Sequence, residues 1–208
     1  RPAIGERVAA YEEDLREQGY YEARARESVS VAADGSATVT VEVEPGPHVR
    51  VTFAGDPLPD GNREALVPIR AERSVDQDLL EDASRNIETA LRRQGYRSAQ
   101  APYAREERGG ELLLTFTVTR GPLHRVGAVT LAGVSGLPRA DLDPLLQLKA
   151  GEPFVEARVG AVGAALAELY RVRGFAQVAV TPGVQVLPAE TRGGVSFRPV
   201  DVRYDIVE

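Results

Sequence analysis

Acid–base chemistry requires titratable side chains that meet, and this 208-residue sequence offers two histidines and several acidic pairs as candidates. His48 and His124 have no second histidine at metal-binding spacing, and we expect both to be turn or strand-start residues. Asp141 and Asp143 could approach each other, but the sequence gives them no further proton-transfer partner. The chain lacks cysteine, phosphate-binding glycine loops and nucleophile-elbow motifs. The sequence therefore predicts no catalytic residue, no metal and no cofactor.

Charged residues of both signs are spread along the chain, which has a net charge of −6. The acidic runs Glu12–Asp14 and Glu81–Asp82 lie opposite the apolar sides of two predicted helices, where solvated surface is the ordinary explanation. A nucleic-acid partner would require a basic stripe or patch, which this mixture of charges does not supply. We therefore expect no nucleic acid among the partners.

A helix-ending motif occurs three times and divides the chain into repeats. The copies end at Gly19-Tyr20, Gly95-Tyr96 and Gly174-Phe175, and the glycines are 76 and 79 residues apart. Each glycine is expected to take the left-handed conformation that stops a helix. Each aromatic residue should then pack back on the residue four positions before the glycine. A period of this size indicates several small units rather than one large domain.

The repeats are predicted to be α+β units in the order strand, helix, helix, strand, strand. Each whole unit would form a three-stranded sheet with two helices on one face. The long helix of the second unit should begin at Ser74 with a capping box to Gln77. The first unit lacks an opening strand and a short helix, and its alternating Val39, Val41 and Val43 predict a half-buried strand. The predicted units are a truncated one at residues 1–46 and whole ones at 47–121 and 122–208.

The strand after each long helix contains a proline, Pro102 in the second unit and Pro182 in the third. Proline cannot donate a ladder hydrogen bond, so these strands are expected at a sheet edge. An open edge can pair with an extended segment of another chain, a binding mode called β-augmentation. The alternative is that the prolines protect the edge from pairing. The candidate protein-binding residues are Gln177, Val178, Ala179, Val180, Thr181, Val184 and Gln185 in the third unit and, as a weaker edge, Arg97, Ala99, Ala101 and Tyr103 in the second.

The repeats resemble the POTRA domains of the Omp85 superfamily in three stretches. Val129–Gly133 matches the family's apolar strand ending in glycine, Leu148–Phe154 its leucine-rich turn with Gly-x-Pro-Phe, and Leu169–Phe175 its helix end. The second unit departs from this pattern, because Ala71–Val75 replaces Gly-x-Pro-Phe and Ala90-Leu91 replaces Leu-Tyr. As a tandem pattern, the resemblance extends over almost the whole chain.

This resemblance implies a periplasmic arm at the outer membrane of a bacterium, similar to the arms of the assembly factors BamA and TamA. The implied partners are unfolded outer-membrane protein clients, and accessory lipoproteins or a periplasmic partner, beside a C-terminal membrane barrel that is absent from this sequence. Two alternatives stay open, an arm of a two-partner-secretion-type exporter and a passive structural spacer. The groove between each edge strand and its long helix is a further candidate binding surface.

Overall fold

The computed structural model describes residues 2–59 and 63–208, with side chains described from residue 4. Helices and strands alternate as predicted, and the protein is of the α+β class. The helices are α1 (Pro2–Glu17), α2 (Arg63–Leu66), α3 (Ile69–Glu72), α4 (Gln77–Arg93), α5 (Arg139–Leu142) and α6 (Glu156–Val172), with a 3₁₀ turn at Asp143–Leu145. The strands are β1 (Arg24–Val31), β2 (Ala37–Glu44), β3 (His48–Gly55), β4 (Tyr103–Arg108), β5 (Glu111–Val118), β6 (His124–Ala132), β7 (Ala179–Val186), β8 (Glu190–Arg192) and β9 (Val195–Val207).

The fold divides into two compact units. The N-terminal unit contains the residues up to Glu88 together with Gln100–Thr119, and the C-terminal unit contains Thr89–Ala99 together with Arg120–Glu208. The truncated first repeat therefore belongs to the same compact unit as most of the second. The repeat boundaries after residues 46 and 121 follow the sequence pattern alone and stay predictions.

The three helix ends have the geometry that the repeated motif predicts. Gly19, Gly95 and Gly174 have φ angles of 96°, 98° and 102°, in the left-handed region. In the third copy the Phe175 N–H donates to the Tyr170 carbonyl at 3.0 Å, and the first two copies contain the equivalent bond. The rings of these two residues also meet edge to face, with centroids 5.4 Å apart. Each motif is thus a Schellman helix stop.

The start of α4 differs from the prediction. The helix begins at Gln77, and the Leu79 N–H donates to Asp76 Oδ1 at 2.8 Å, so Asp76 is the residue that caps it. Ser74 Oγ donates to Asp76 Oδ2 at 2.6 Å and so orients the capping carboxylate. The predicted capping box from Ser74 to Gln77 is therefore wrong, because the aspartate between them takes the capping position.

A three-stranded sheet forms the centre of the N-terminal unit, in the order β3-β5-β4. The opening strand β3 runs parallel to β5, and β4 runs antiparallel to it. Leu112, Leu114 and Phe116 alternate along β5 and are fully buried, as are Leu80 and Ile87 on α4. The apolar periodicities of the helix and of the central strand therefore meet in one core.

The truncated first repeat contains the predicted helix and hairpin. Strands β1 and β2 pair antiparallel over their full lengths, and α1 packs against β1. Strand β2 forms as predicted, but Val39, Val41 and Val43 are 40%, 43% and 38% exposed, so the predicted burial of their face is wrong. Ladder pairing leaves the faces of a sheet open, and the helix of this repeat, α1, packs against β1.

The C-terminal unit repeats the sheet with one addition. Its strand order is β6-β9-β7, with β6 parallel and β7 antiparallel to the central β9. The short β8 pairs with the start of β9, so this sheet has four strands where three were predicted. Leu166 and Tyr170 of α6 pack in a buried cluster with Val202 and Tyr204 of β9.

Candidate protein-binding edge

Strand β7 lies at the edge of the C-terminal sheet, as predicted for the strand after a long helix. It pairs with β9 on one side, from Ala179 opposite Val207 to Val186 opposite Val200. On its other side, no strand in the described ranges pairs with it. We call this side the β7 edge.

The direction of the main-chain groups follows from one bond at the end of the strand. The Leu187 N–H donates to the Pro199 carbonyl at 2.8 Å, which makes these two residues a hydrogen-bonded pair. Such pairs alternate along an antiparallel ladder, so the odd-numbered residues of β7 bond to β9. The main-chain N–H and C=O groups of the even-numbered residues point outward, away from β9. Pro182 is among the outward residues, so its missing N–H costs the ladder no bond. The residues that offer groups to the β7 edge are Val180, Pro182, Val184 and Val186.

The same residues place apolar side chains beside the free main-chain groups. They lie opposite the buried residues of β9, so their side chains share the helix-covered face of the sheet. Val180 packs against the core, whereas Val184 and Val186 are 42% and 39% exposed. The eight residues of β7 include no charged side chain. The edge thus combines free hydrogen-bonding groups with accessible apolar surface.

The second predicted edge lies further along the chain than expected. Strand β4 is Tyr103–Arg108, so a strand over residues 97–103 is wrong and only Tyr103 of the four candidates belongs to the strand. Arg97 lies in a turn, and Ala99 and Ala101 are fully buried. These three residues are therefore not part of an exposed edge.

Pro102 explains the displacement: its carbonyl accepts from the Thr117 N–H at 2.9 Å, but a proline has no N–H to return the bond, so the ladder is interrupted there. Helix α4 binds the backbone on the other side of this segment. Ser84 Oγ donates to the Ala101 carbonyl at 2.5 Å, and the Ala101 N–H donates to Glu88 Oε1 at 3.2 Å. The main-chain groups of Ala101 are therefore bonded to α4 and are not open to another strand. In the third repeat Gln177 and Val178 likewise precede β7, and Val178 is buried. The other five candidates, Ala179, Val180, Thr181, Val184 and Gln185, lie within β7.

Strand β4 also lies at a sheet edge, but its chemistry differs. Gln100 and Thr119 exchange two main-chain bonds just before it, so its odd-numbered residues point outward. Arg105, one of these, donates to the Val75 carbonyl at 3.3 Å and to Glu22 Oε1 at 3.1 Å. The edge is therefore charged and partly engaged, which is a common way of blunting an edge strand.

Two titratable side chains of the C-terminal unit, those of His124 and Tyr204, have pKa values that are shifted by burial. His124 begins β6 and is 7% exposed, and burial lowers its pKa. The Tyr204 hydroxyl donates to the Val159 carbonyl at 2.9 Å, and burial raises its pKa to about 12. A grouping of three or more His, Asp or Glu side chains suited to a metal is absent from the described residues. Burial thus accounts for both pKa shifts.

The Gly-x-Pro-Phe stretch has a role that the sequence did not reveal. Gly151–Phe154 lies along the outer side of β6, where Arg125 and Pro153 form an antiparallel bridge. Phe154 is 1% exposed and anchors this segment in the core. The sequence assigned this stretch only to the turn that the family resemblance implies. Its pairing with a strand more than twenty residues earlier is a tertiary feature.

Comparison with known proteins gives a family match for the third repeat. Residues 124–208 match the POTRA family model, described as a surface antigen variable number repeat. A search of the curated proteins finds no match. The match identifies a POTRA repeat at residues 124–208. The POTRA resemblance noted from the sequence is confirmed by this match.

Solved structures similar to this chain include POTRA domains of two proteins. POTRA domains 3–5 of BamA from Haemophilus influenzae share 18% identity and a TM-score of 0.44, covering 99% of this chain and 80% of that one. POTRA domains 1–2 of Omp85 from Anabaena share 17% identity and a TM-score of 0.42, covering 88% and 98%. CdiB from Escherichia coli shares 17% identity and a TM-score of 0.33, covering 99% of this chain and 34% of that one.

Within the described ranges, no helix is long and apolar enough to span a membrane.

Proposed function

We propose that this chain is a periplasmic POTRA arm of an Omp85-type outer-membrane protein, and that it holds extended client polypeptide by β-augmentation on the β7 edge. The observation that carries the proposal is an uncharged edge strand with outward main-chain groups and exposed Val184 and Val186. The activity is binding rather than catalysis. The clients are unfolded outer-membrane strands, and accessory proteins dock on the same arm.

Main-chain pairing suits a client class with many different sequences. Every extended segment presents the same N–H and C=O groups, whereas side-chain pockets select particular residues. Barrel strands alternate apolar and polar side chains with a period of two. An incoming strand paired with β7 would place every second side chain beside Val184 and Val186, on the face of the sheet that α6 covers. The edge therefore favours alternating strands without requiring one sequence.

A proline at an outward position tests the hydrogen bonds directly. Val184→Pro removes one N–H from the β7 edge without removing a bond to β9, because the residue points outward. We expect roughly 3- to 10-fold weaker binding of a synthetic barrel-strand peptide, since one hydrogen bond contributes about 0.5–1.5 kcal/mol. An NMR titration of the isotope-labelled chain with the peptide measures the affinity, and the shifted amides locate the bound peptide.

Two matched variants serve as controls. Val184→Thr keeps the N–H and the strand propensity and should bind almost as the parent chain does. Glu107→Pro places the same change at an outward position of β4 and should leave the affinity unchanged. Binding that is equal in all three variants, or peptide shifts that lie outside β7, would contradict the proposal. A chain that binds no extended peptide would favour the passive spacer.

A further inference from the structure

The two units can be compared at their opening strands, β3 and β6. Both strands begin with the same bond to the end of a helix. The Val49 N–H donates to the Gly19 carbonyl at 3.0 Å, and the His124 N–H donates to the Gly95 carbonyl at 2.9 Å. Val49 and His124 therefore occupy equivalent positions at the starts of the two strands.

In the C-terminal unit the next outward groups of the opening strand are all bonded. The His124 carbonyl accepts from the Phe154 N–H at 3.0 Å. The Val126 N–H donates to the Glu152 carbonyl at 2.8 Å, and the Val126 carbonyl accepts from the Gly151 N–H at 2.7 Å. Three main-chain bonds thus hold a segment of the same unit along this edge, and the segment covers it.

In the N-terminal unit the equivalent groups are the Val49 carbonyl and the N–H and carbonyl of Val51. They point outward, because the His48 N–H donates inward to the Gly110 carbonyl at 2.9 Å and successive residues alternate. In the part of the chain that the structure describes, these three groups have no hydrogen-bond partner. Ala71–Val75 stands in place of Gly-x-Pro-Phe, but it forms the end of α3 and the linker to α4.

An apolar groove lies beside these unpaired groups. A cavity of about 300 Å³ is lined by half-buried Val51 and Phe53 of β3 and by buried Val67 and Ile69. Tyr21 flanks it, and burial raises the pKa of its hydroxyl. The cavity thus offers an apolar side chain a site next to a strand edge. Its remaining lining residues are Arg63, Glu64 and Arg70, which together carry one net positive charge.

We propose that β3 is a second binding edge, which takes an extended, antiparallel segment of a different protein. That segment would place an apolar side chain in the groove and an acidic residue near the two arginines. The covering segment of the C-terminal unit has this composition, with acidic Glu152 and buried Phe154. The proposal concerns a different strand in a different unit from the β7 edge and does not depend on binding there.

The test uses the peptide Leu-Lys-Ala-Gly-Glu-Pro-Phe-Val, the sequence of residues 148–155, because it carries the segment that covers the equivalent edge. It is added to the isotope-labelled Val184→Pro chain, in which the β7 edge is impaired. We expect amide shifts at Val49, Val51, Phe53 and Ile69. A peptide with alanine in place of phenylalanine should bind at least about tenfold more weakly, because it cannot fill the groove.

Three results would overturn the proposal. The first is an absence of shifts on β3 at millimolar peptide, and the second is equal affinity for the alanine peptide. The third is a concentration-dependent dimer of the peptide-free chain with shifts on β3, which would make a second copy the occupant. None of these results bears on the affinity of barrel-strand peptides for the parent chain, so the two proposals fail separately.

Discussion

The N-terminal and C-terminal units have the same sheet order but leave opposite edges open. In the C-terminal unit, Gly151–Phe154 covers the opening strand and the uncharged β7 is accessible. In the N-terminal unit, the opening strand β3 has outward groups without a partner among the described residues, whereas β4 is charged and engages Glu22 through Arg105. Shared topology therefore does not determine which edge can bind a partner.

A few residues at each edge make this difference. An edge is closed when a segment pairs with it and blunted when charged side chains project beside it. The core residues that define the fold, such as Leu114 and Val202, are buried in both units and do not contribute to it. Repeats of this kind can therefore acquire or lose a binding edge without a change of fold.

The largest effect is expected where the covering segment is anchored. Phe154→Ala should destabilise the C-terminal unit by about 3–5 kcal/mol, because the ring is 1% exposed and leaves a cavity in the core. It should also release Gly151 and Val126, whose amides would exchange faster with solvent. Denaturant unfolding and hydrogen exchange measure the two effects. Phe53→Ala, at a half-buried position of β3, is the matched control and should cost less.

Making β7 resemble β4 should abolish most of its binding. The double substitution of Val184 and Val186 by glutamate should weaken barrel-strand peptides by roughly tenfold or more, because it removes apolar contact area and adds charge at the edge. Both side chains are exposed, so the unfolding free energy should change by less than about 1 kcal/mol. Unchanged affinity in the NMR titration would show that the side chains of this edge do not contribute.

The reciprocal change should create binding at β4. Replacing Arg105 and Glu107 by valine removes the contacts with Glu22 and Val75 and gives the outward positions the character of β7. We expect a gain of a few-fold in peptide affinity, with new shifts on β4. Arg105→Lys keeps the charge and should show no gain. If the chain with Arg105→Val and Glu107→Val binds the peptide no better than the parent chain, apolar side chains alone do not make an edge strand bind.

The smallest effect concerns the cap of α4 and depends on pH. Hydrogen bonds from Ser74 and from the Leu79 N–H hold the pKa of Asp76 below its usual value of 3.8. The folded state thus prefers the ionised carboxylate, and its contribution to stability is present above that value and lost as pH falls through and below it. Asp76→Ala should lower the unfolding midpoint slightly at pH 7 but hardly at pH 2. An equal loss at both pH values would contradict capping by the carboxylate.

Local sequence signals predicted the helix ends and the core strands correctly. The glycine in Gly95-Tyr96 can take a positive φ without a side-chain clash, and the six-residue motif contains both partners of the Schellman bond. Alternation along β5 likewise predicted which residues are buried, with Leu112 and Leu114 as examples. These features depend on residues close together in the sequence.

Other features depended on partners far apart in the chain. The strand expected from Arg97 begins only at Tyr103, and the Ala101 backbone before it is bound by side chains of α4. Strand β8 was not predicted, because its three residues, from Glu190 to Arg192, carry no apolar alternation. Of the candidate site, the part within β7 lies at a sheet edge, and its binding role stays a proposal.

By itself the sequence determined that the chain repeats a small α+β unit and where each long helix stops, because propensity, periodicity and glycine conformation act over a few neighbouring residues. The tertiary structure decided which strand edges are covered. Coverage of β6 requires bonds between Val126 and Gly151-Glu152, which the chain brings together only by folding. An unpaired edge is defined by what does not reach it, and a local sequence pattern cannot specify that.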